Sequence, residues 1–162
     1  MASLIFIDST VFTRLLIGGE GADFAVSLLS RIERGVDTGV TDTLALYEAY
    51  AKAIVAAGGE LTASPDPMEA VELLDRDVVA RRMAVEKASM LASYIDHLVS
   101  RGRLLVLPLT LDHLTEALHL SAIYGLRLNE AVHVAAARSV RVQRLATFSE
   151  RVRRVRGMEF IP

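Results

Sequence analysis

Asp8, Glu48 and Glu130 are the side chains whose types and positions point to chemistry in this sequence. Asp8 follows the apolar run Leu4-Ile5-Phe6-Ile7, which reads as a strand buried on both faces, and it precedes the hydroxyls of Ser9 and Thr10. An acid at that point stands outside the carboxyl end of a strand, where open α/β sheets bind their ligands; its other reading is a cap for the helix that follows. Glu48 falls in the second turn of a helix opened by Asp42 or Thr43, so it either leans over the same crevice or is an exposed helix charge. Glu130 lies in the first turn of a helix with Asn129 as its expected N-cap, where the helix dipole favours an anion. Ser149 and Glu150 follow the last inner strand. Acids gathered at one point raise each other's pKa, so three of them stay ionised only around a cation. An oxygen-rich set in a chain without cysteine is the coordination that Mg²⁺ or Mn²⁺ prefers, and such an ion activates water and braces a phosphate. The spacing Glu130-x-x-His133 places both residues on one helix face, but His133 lies in an alanine-rich stretch and reads as a core residue.

The elements that must position these residues alternate. After the first strand and helix, residues 22–33 repeat apolar side chains at helical spacing, and a weak strand over 38–41 leads into the Glu48 helix, expected to run to about residue 57. Gly58-Gly59 and Ser64-Pro65-Asp66-Pro67 read as a loop. Residues 68–101 contain no Gly or Pro and form a helical arm, unbroken or folded back near Asp75-Arg76-Asp77. Such an arm suits a homodimer interface or a partner-binding surface. A strand over 103–107, a helix opened by Thr110 or Asp112, the Glu130 helix, a strand over 144–148, a short helix over 149–154 and an edge strand over 158–161 complete the chain. This order implies a three-layer α/β/α domain spanning 1–162, around a mainly parallel sheet.

Composition bounds the rest. At 162 residues the chain fits one domain, and its formal net charge of -2 gives no global attraction to nucleic acid. The arginines are uneven, however: Arg138, Arg141, Arg144, Arg151, Arg153, Arg154 and Arg156 crowd the C-terminal end, as a phosphate-tracking patch or a solvated face. Absence of cysteine excludes disulfides, thiol catalysis and cysteine-built zinc sites. Every long apolar stretch is interrupted by charge, so no membrane span is expected, and the absence of a basic leader makes the cytoplasm the expected location.

Several motifs, taken in order, resemble the PIN domain family over nearly the whole chain. They are Ile5-Phe6-Ile7-Asp8-Ser9-Thr10-Val11-Phe12, the Glu48 helix, residues 125–137 beginning Gly125-Leu126-Arg127-Leu128-Asn129-Glu130-Ala131, and Leu145-Ala146-Thr147-Phe148-Ser149. The likeness is greatest to VapC-like toxins and their archaeal relatives. It implies a nuclease that cuts single-stranded RNA with Mg²⁺ or Mn²⁺, often as a dimer, restrained by an antitoxin when it is a toxin. Glu130 stands where the family usually has aspartate, and Ser149 where an aspartate follows Thr-Phe. The resemblance therefore assigns catalysis and the metal to Asp8, Glu48 and Glu130, with Ser9, Asn129, Ser149 and Glu150 in support. Ser9 would orient a water and Ser149 would hydrogen-bond one without adding charge. Arg127, Arg151, Arg153 and Arg154 would guide the RNA backbone. The alternative is a catalytically degenerate PIN domain that binds RNA or protein without cutting.

Overall fold

In the computed structural model, which describes residues 3–63 and 65–162, five strands form one sheet. They are β1 (Ser3–Ile7), β2 (Asp37–Asp42), β3 (Leu104–Leu107), β4 (Arg144–Ala146) and β5 (Glu159–Ile161), in the order β3-β2-β1-β4-β5 with every pairing parallel. Both faces are covered over residues 5–7, which is why that part of β1 is apolar without alternation, whereas Leu4 near the start of the strand is 48% exposed. Phe6, Val40 and Leu145 pack beneath α6 (Leu111–Tyr124) and α7 (Leu128–Ser139). Ile5, Ile7, Leu104 and Ala146 meet α1 (Ser9–Ile17), α2 (Ala22–Glu33), α3 (Thr43–Thr62) and α5 (Val78–Ser100). These are the three α/β/α layers the alternation of elements implied. Among the described residues no helix is long and apolar enough to cross a membrane.

The strand order reverses between β1 and β4, and the crevice outside their carboxyl ends is the position where such sheets hold ligands. β2 is weak in sequence because, Gly39 and Val40 apart, its buried residues Asp37, Thr41 and Asp42 are polar and satisfied from elsewhere. Asp37 accepts from Arg31 Nε at 2.8 Å, and Thr41 Oγ1 donates to the Ile7 carbonyl at 2.8 Å. A Cβ on Gly39 would lie 2.8 Å from Leu104 Cδ1 and 3.3 Å from Ile32 Cδ1, so its bare backbone lets α2 settle on the sheet.

The structure corrects several expected boundaries. Gly58-Gly59 do not end α3, which continues to Thr62. A Cβ on Gly58 would meet Leu74 Cδ1 at 3.0 Å and Ala70 Cβ at 3.2 Å, so close contact with α4 (Pro67–Arg76) favours glycine inside the helix despite its cost. Ser64, within the expected loop, lies outside the described residues. The stretch over 68–101 is two helices, α4 and α5, divided at Asp77. The Asp77 carboxylate accepts from Val79 N at 2.8 Å and Ala80 N at 3.1 Å, giving α5 a fresh start. Ala57, Leu74, Ala80 and Ala84 form a small core of their own where the pair lies against α3. β4 ends at Ala146 rather than at residue 148, with Thr147 N still donating to the Ile161 carbonyl at 3.0 Å, and the expected helix over 149–154 is a single 3-10 turn at Val152–Arg154.

Candidate metal centre

Asp8 leaves the end of β1 at the N-cap position of α1, yet its side chain makes no capping bond. Its Oδ2 accepts from Thr10 Oγ1 at 3.0 Å and from Thr147 Oγ1 at 2.5 Å, and its Oδ1 faces Ser9 Oγ at 3.2 Å. Two threonine hydroxyls thus hold, and the Ser9 hydroxyl flanks, the side chain of a residue that is only 4% exposed. Glu48 reaches the same point from α3. Its Oε2 accepts from Ser9 Oγ at 2.6 Å and its Oε1 from Asn129 Nδ2 at 2.8 Å. Ser9 therefore stands between the two acids.

His133 closes the group from α7. Its Nε2 lies 3.4 Å from Glu48 Oε2 and 3.7 Å from Asp8 Oδ1, while Nδ1 donates to Asp42 Oδ2 at 2.8 Å. Asp42, the last residue of β2, also caps α3 by accepting from Ala45 N through Oδ1 at 2.7 Å. Ligand-capable atoms of Asp8, Glu48 and His133 all fall within 4.8 Å of one another. Two carboxylates and an imidazole in that compass suit a small divalent cation.

Electrostatics bind the group together. Burial pushes the Glu48 carboxyl up, but hydrogen bonds from His133, Ser9 and Asn129, with the His133 charge behind them, outweigh it and hold the group at about 2. Burial likewise pushes the His133 ring down. Its bonds to Asp42 and Glu48 and the charges of Asp8 and Asp42 prevail, lifting it to about 10. In the metal-free protein the imidazolium is thus the counter-charge that these acids require.

The other expected site residues are arranged around this centre. Glu130 lies outside the three-residue group: Oε1 accepts from Ser149 Oγ at 2.8 Å and Oε2 from Arg127 N at 2.8 Å. Arg151 Nε is 3.2 Å from the same Oε2, paired by charge without an aligned hydrogen bond. The longer glutamate side chain lets this residue turn back and cap its own helix. Asn129 is the second residue of α7 rather than its N-cap, a position held by Arg127, and this frees its amide for Glu48. Ser149 joins the site through its backbone, N donating to Thr147 Oγ1 at 3.0 Å. Glu150 is exposed and pairs with Arg153 at 3.5 Å. Arg127, Arg153 and Arg154 are exposed and Arg151 is half-buried.

Thr147, Asp42 and His133 carry roles that sequence reasoning did not give them. Thr147 belongs to the Thr-Phe pair, but nothing local shows that its hydroxyl reaches Asp8, 139 positions away. Asp42 reads correctly as a cap, and its second oxygen has no signature in sequence. His133 reads as a core residue, and it is 3% exposed; burial here accompanies a polar role rather than excluding one. Against known proteins, a family model described as PIN domain matches residues 5–158. A comparison with curated proteins finds no match.

Proposed function

The chain belongs to the PIN domain family, and from that premise we propose that it is a metal-dependent endoribonuclease of the VapC-like kind, cutting single-stranded RNA with Mg²⁺ or Mn²⁺. The observation that carries this reading is the convergence of Asp8, Glu48 and His133 within 4.8 Å at the carboxyl edge of the sheet. Asp8 and Glu48 hold the cation. When bound, it supplies charge compensation, Lewis-acid polarisation of a phosphate and acidification of water. Ser9 sets the spacing of the two carboxylates, Thr10 and Thr147 fix the rotation of Asp8, and Asn129 fixes Glu48. Glu130, held by Arg127 N, Ser149 and Arg151, is the outer acid of the set. Arg127, Arg153 and Arg154 follow the RNA phosphates, a contact that weakens with salt. Exposed Met68, Val78, Val79, Met83 and Met90 along α4 and α5 support a protein partner there, a second copy or an antitoxin, in the cytoplasm.

A second reading is favoured by one observation: Ser149 brings no charge, and Glu130 is occupied by Arg151. On that reading the domain binds RNA or a protein without cutting. Incubation with single-stranded and duplex RNA, with Mn²⁺, with Mg²⁺ and with EDTA, separates the two. The nuclease reading expects cleavage of the single strand that EDTA, Asp8→Asn and Glu48→Gln each abolish. Cleavage surviving in Asp8→Asn sinks it, and RNA binding without cleavage in either metal moves the conclusion to the second reading.

A further inference from the structure

We infer that His133 is itself a ligand of this centre, through Nε2, and that Asp42 positions it, so that the site prefers a first-row transition ion such as Mn²⁺ or Co²⁺ to Mg²⁺. This rests on the metal reading above and specifies its donor set. Among the described residues the ligand atoms that converge within 4.8 Å are those of Asp8, Glu48 and His133, and Glu130 is not among them; its oxygens face Ser149, Arg127 and Arg151. His133 fills that third position.

The distances agree with ligation. Donors each about 2.0–2.2 Å from a small divalent ion stand roughly 3–4 Å apart. Nε2 is 3.4 Å from Glu48 Oε2 and 3.7 Å from Asp8 Oδ1. The orientation agrees as well. Metal-binding imidazoles donate their second ring N–H to a carboxylate or carbonyl, which fixes tautomer and ring plane. Here Nδ1 does so to Asp42 Oδ2 at 2.8 Å, and Asp42 is anchored by Ala45 N at 2.7 Å. A histidine serving only to fill the core has no reason to face acids with both nitrogens. On ligation the ring keeps its Nδ1 hydrogen for Asp42 and releases any Nε2 proton to solvent, leaving the lone pair for the ion. Imidazole nitrogen is a softer donor than carboxylate oxygen, which moves affinity away from Mg²⁺ and along the series from Mn²⁺ toward Co²⁺.

The test is pulsed electron paramagnetic resonance of Mn²⁺ bound to the EDTA-stripped full chain, with titration calorimetry of Mn²⁺, Co²⁺ and Mg²⁺ alongside. The expected result is a ¹⁴N coupling to Mn²⁺ that changes to a ¹⁵N pattern when histidine alone is ¹⁵N-labelled, a readout that needs no variant. His133→Gln, which substitutes an oxygen donor, should abolish the coupling and reduce the preference for Mn²⁺ over Mg²⁺. Asp42→Asn, which preserves the cap, should retain the coupling but weaken Mn²⁺ binding by about 10- to 100-fold. Mn²⁺ bound to wild type without nitrogen coupling overturns this inference and leaves the metal reading standing. No Mn²⁺ binding at all overturns both.

Discussion

Removing the His133 charge from the metal-free protein should cost stability at neutral pH and cost little at strongly alkaline pH. Asp8, Asp42 and Glu48 surround a ring that is 3% exposed, with side chains themselves 6%, 0% and 15% exposed. Contacts with them raise the ring from 6.5 to about 10. A raised pKa contributes stability that is complete below the unfolded value and is lost as pH climbs through the folded one. The window is therefore pH 6.5 to about 10. At 1.36 kcal/mol per unit the span amounts to on the order of 5 kcal/mol, a large part of the roughly 5–15 kcal/mol that holds a domain together. The depressed Glu48 shares the same contact with His133, so the two effects are not summed. Urea unfolding in EDTA, followed by circular dichroism, should show wild type exceeding His133→Gln by several kcal/mol at about pH 6.5, with the gap closing toward pH 10. Subtracting the variant removes other alkaline titrations such as Tyr94, itself raised to about 12. A gap that stays constant across that range would mean the ring is neutral in the folded protein, and the electrostatic account of the site would be wrong.

Other perturbations probe its supports. Glu48, held at about 2 against an ordinary 4.5, contributes stability present above pH 4.5 and lost as pH falls toward 2; acid unfolding of Glu48→Gln should lack that limb. Thr147→Val removes the donor to Asp8 Oδ2 and the acceptor for Ser149 N at a position 0% exposed, so it should lose about 1–3 kcal/mol in urea unfolding, while Thr147→Ser recovers most of it. Gly21 has φ +85, and a Cβ there would meet Phe148 Cε1, so Gly21→Ala should lower the melting temperature through strain of roughly 1–3 kcal/mol. Asp77→Ala deletes the two-pronged cap of α5 and should cost about 1 kcal/mol, with no effect on Mn²⁺ affinity measured by calorimetry.

What the sequence made legible was whatever depends on neighbours in the chain. The 22–33 helix appears at the boundaries its apolar spacing gives, because Leu28, Leu29 and Ile32 are one face of one element. β1 reads clearly because a short run rich in β-branched and aromatic side chains, closed by Asp8-Ser9-Thr10, has the length of a strand, although Leu4 at its start is 48% exposed. The Gly58-Gly59 pair misleads because local propensity is overruled by Leu74 and Ala70, which belong to a different helix. β2 is faint for a related reason: Asp37, Thr41 and Asp42 are buried with partners at Arg31, Ile7 and His133 that no local window includes.

The site divides along the same line. Asp8 is visible as an acid just after a strand end and Glu48 as an acid in the second turn of the helix that follows β2, and both are local features. The Glu130-x-x-His133 spacing reads in sequence as a functional acid beside a core histidine, and the contacts run the other way: His133 lies with Asp8 and Glu48, and Glu130 outside them. Glu130 meets Arg127 N within its own turn, a contact a shorter aspartate would make less readily, and so serves the helix as well as the crevice mouth. His133 finds Asp42, 91 positions away, and through it faces Asp8 and Glu48. An alanine-rich context signals burial correctly but says nothing of charge. When three carboxylates lie within reach, burial is what makes a histidine beside them consequential, because the low dielectric that penalises an isolated charge strengthens every pairing around it.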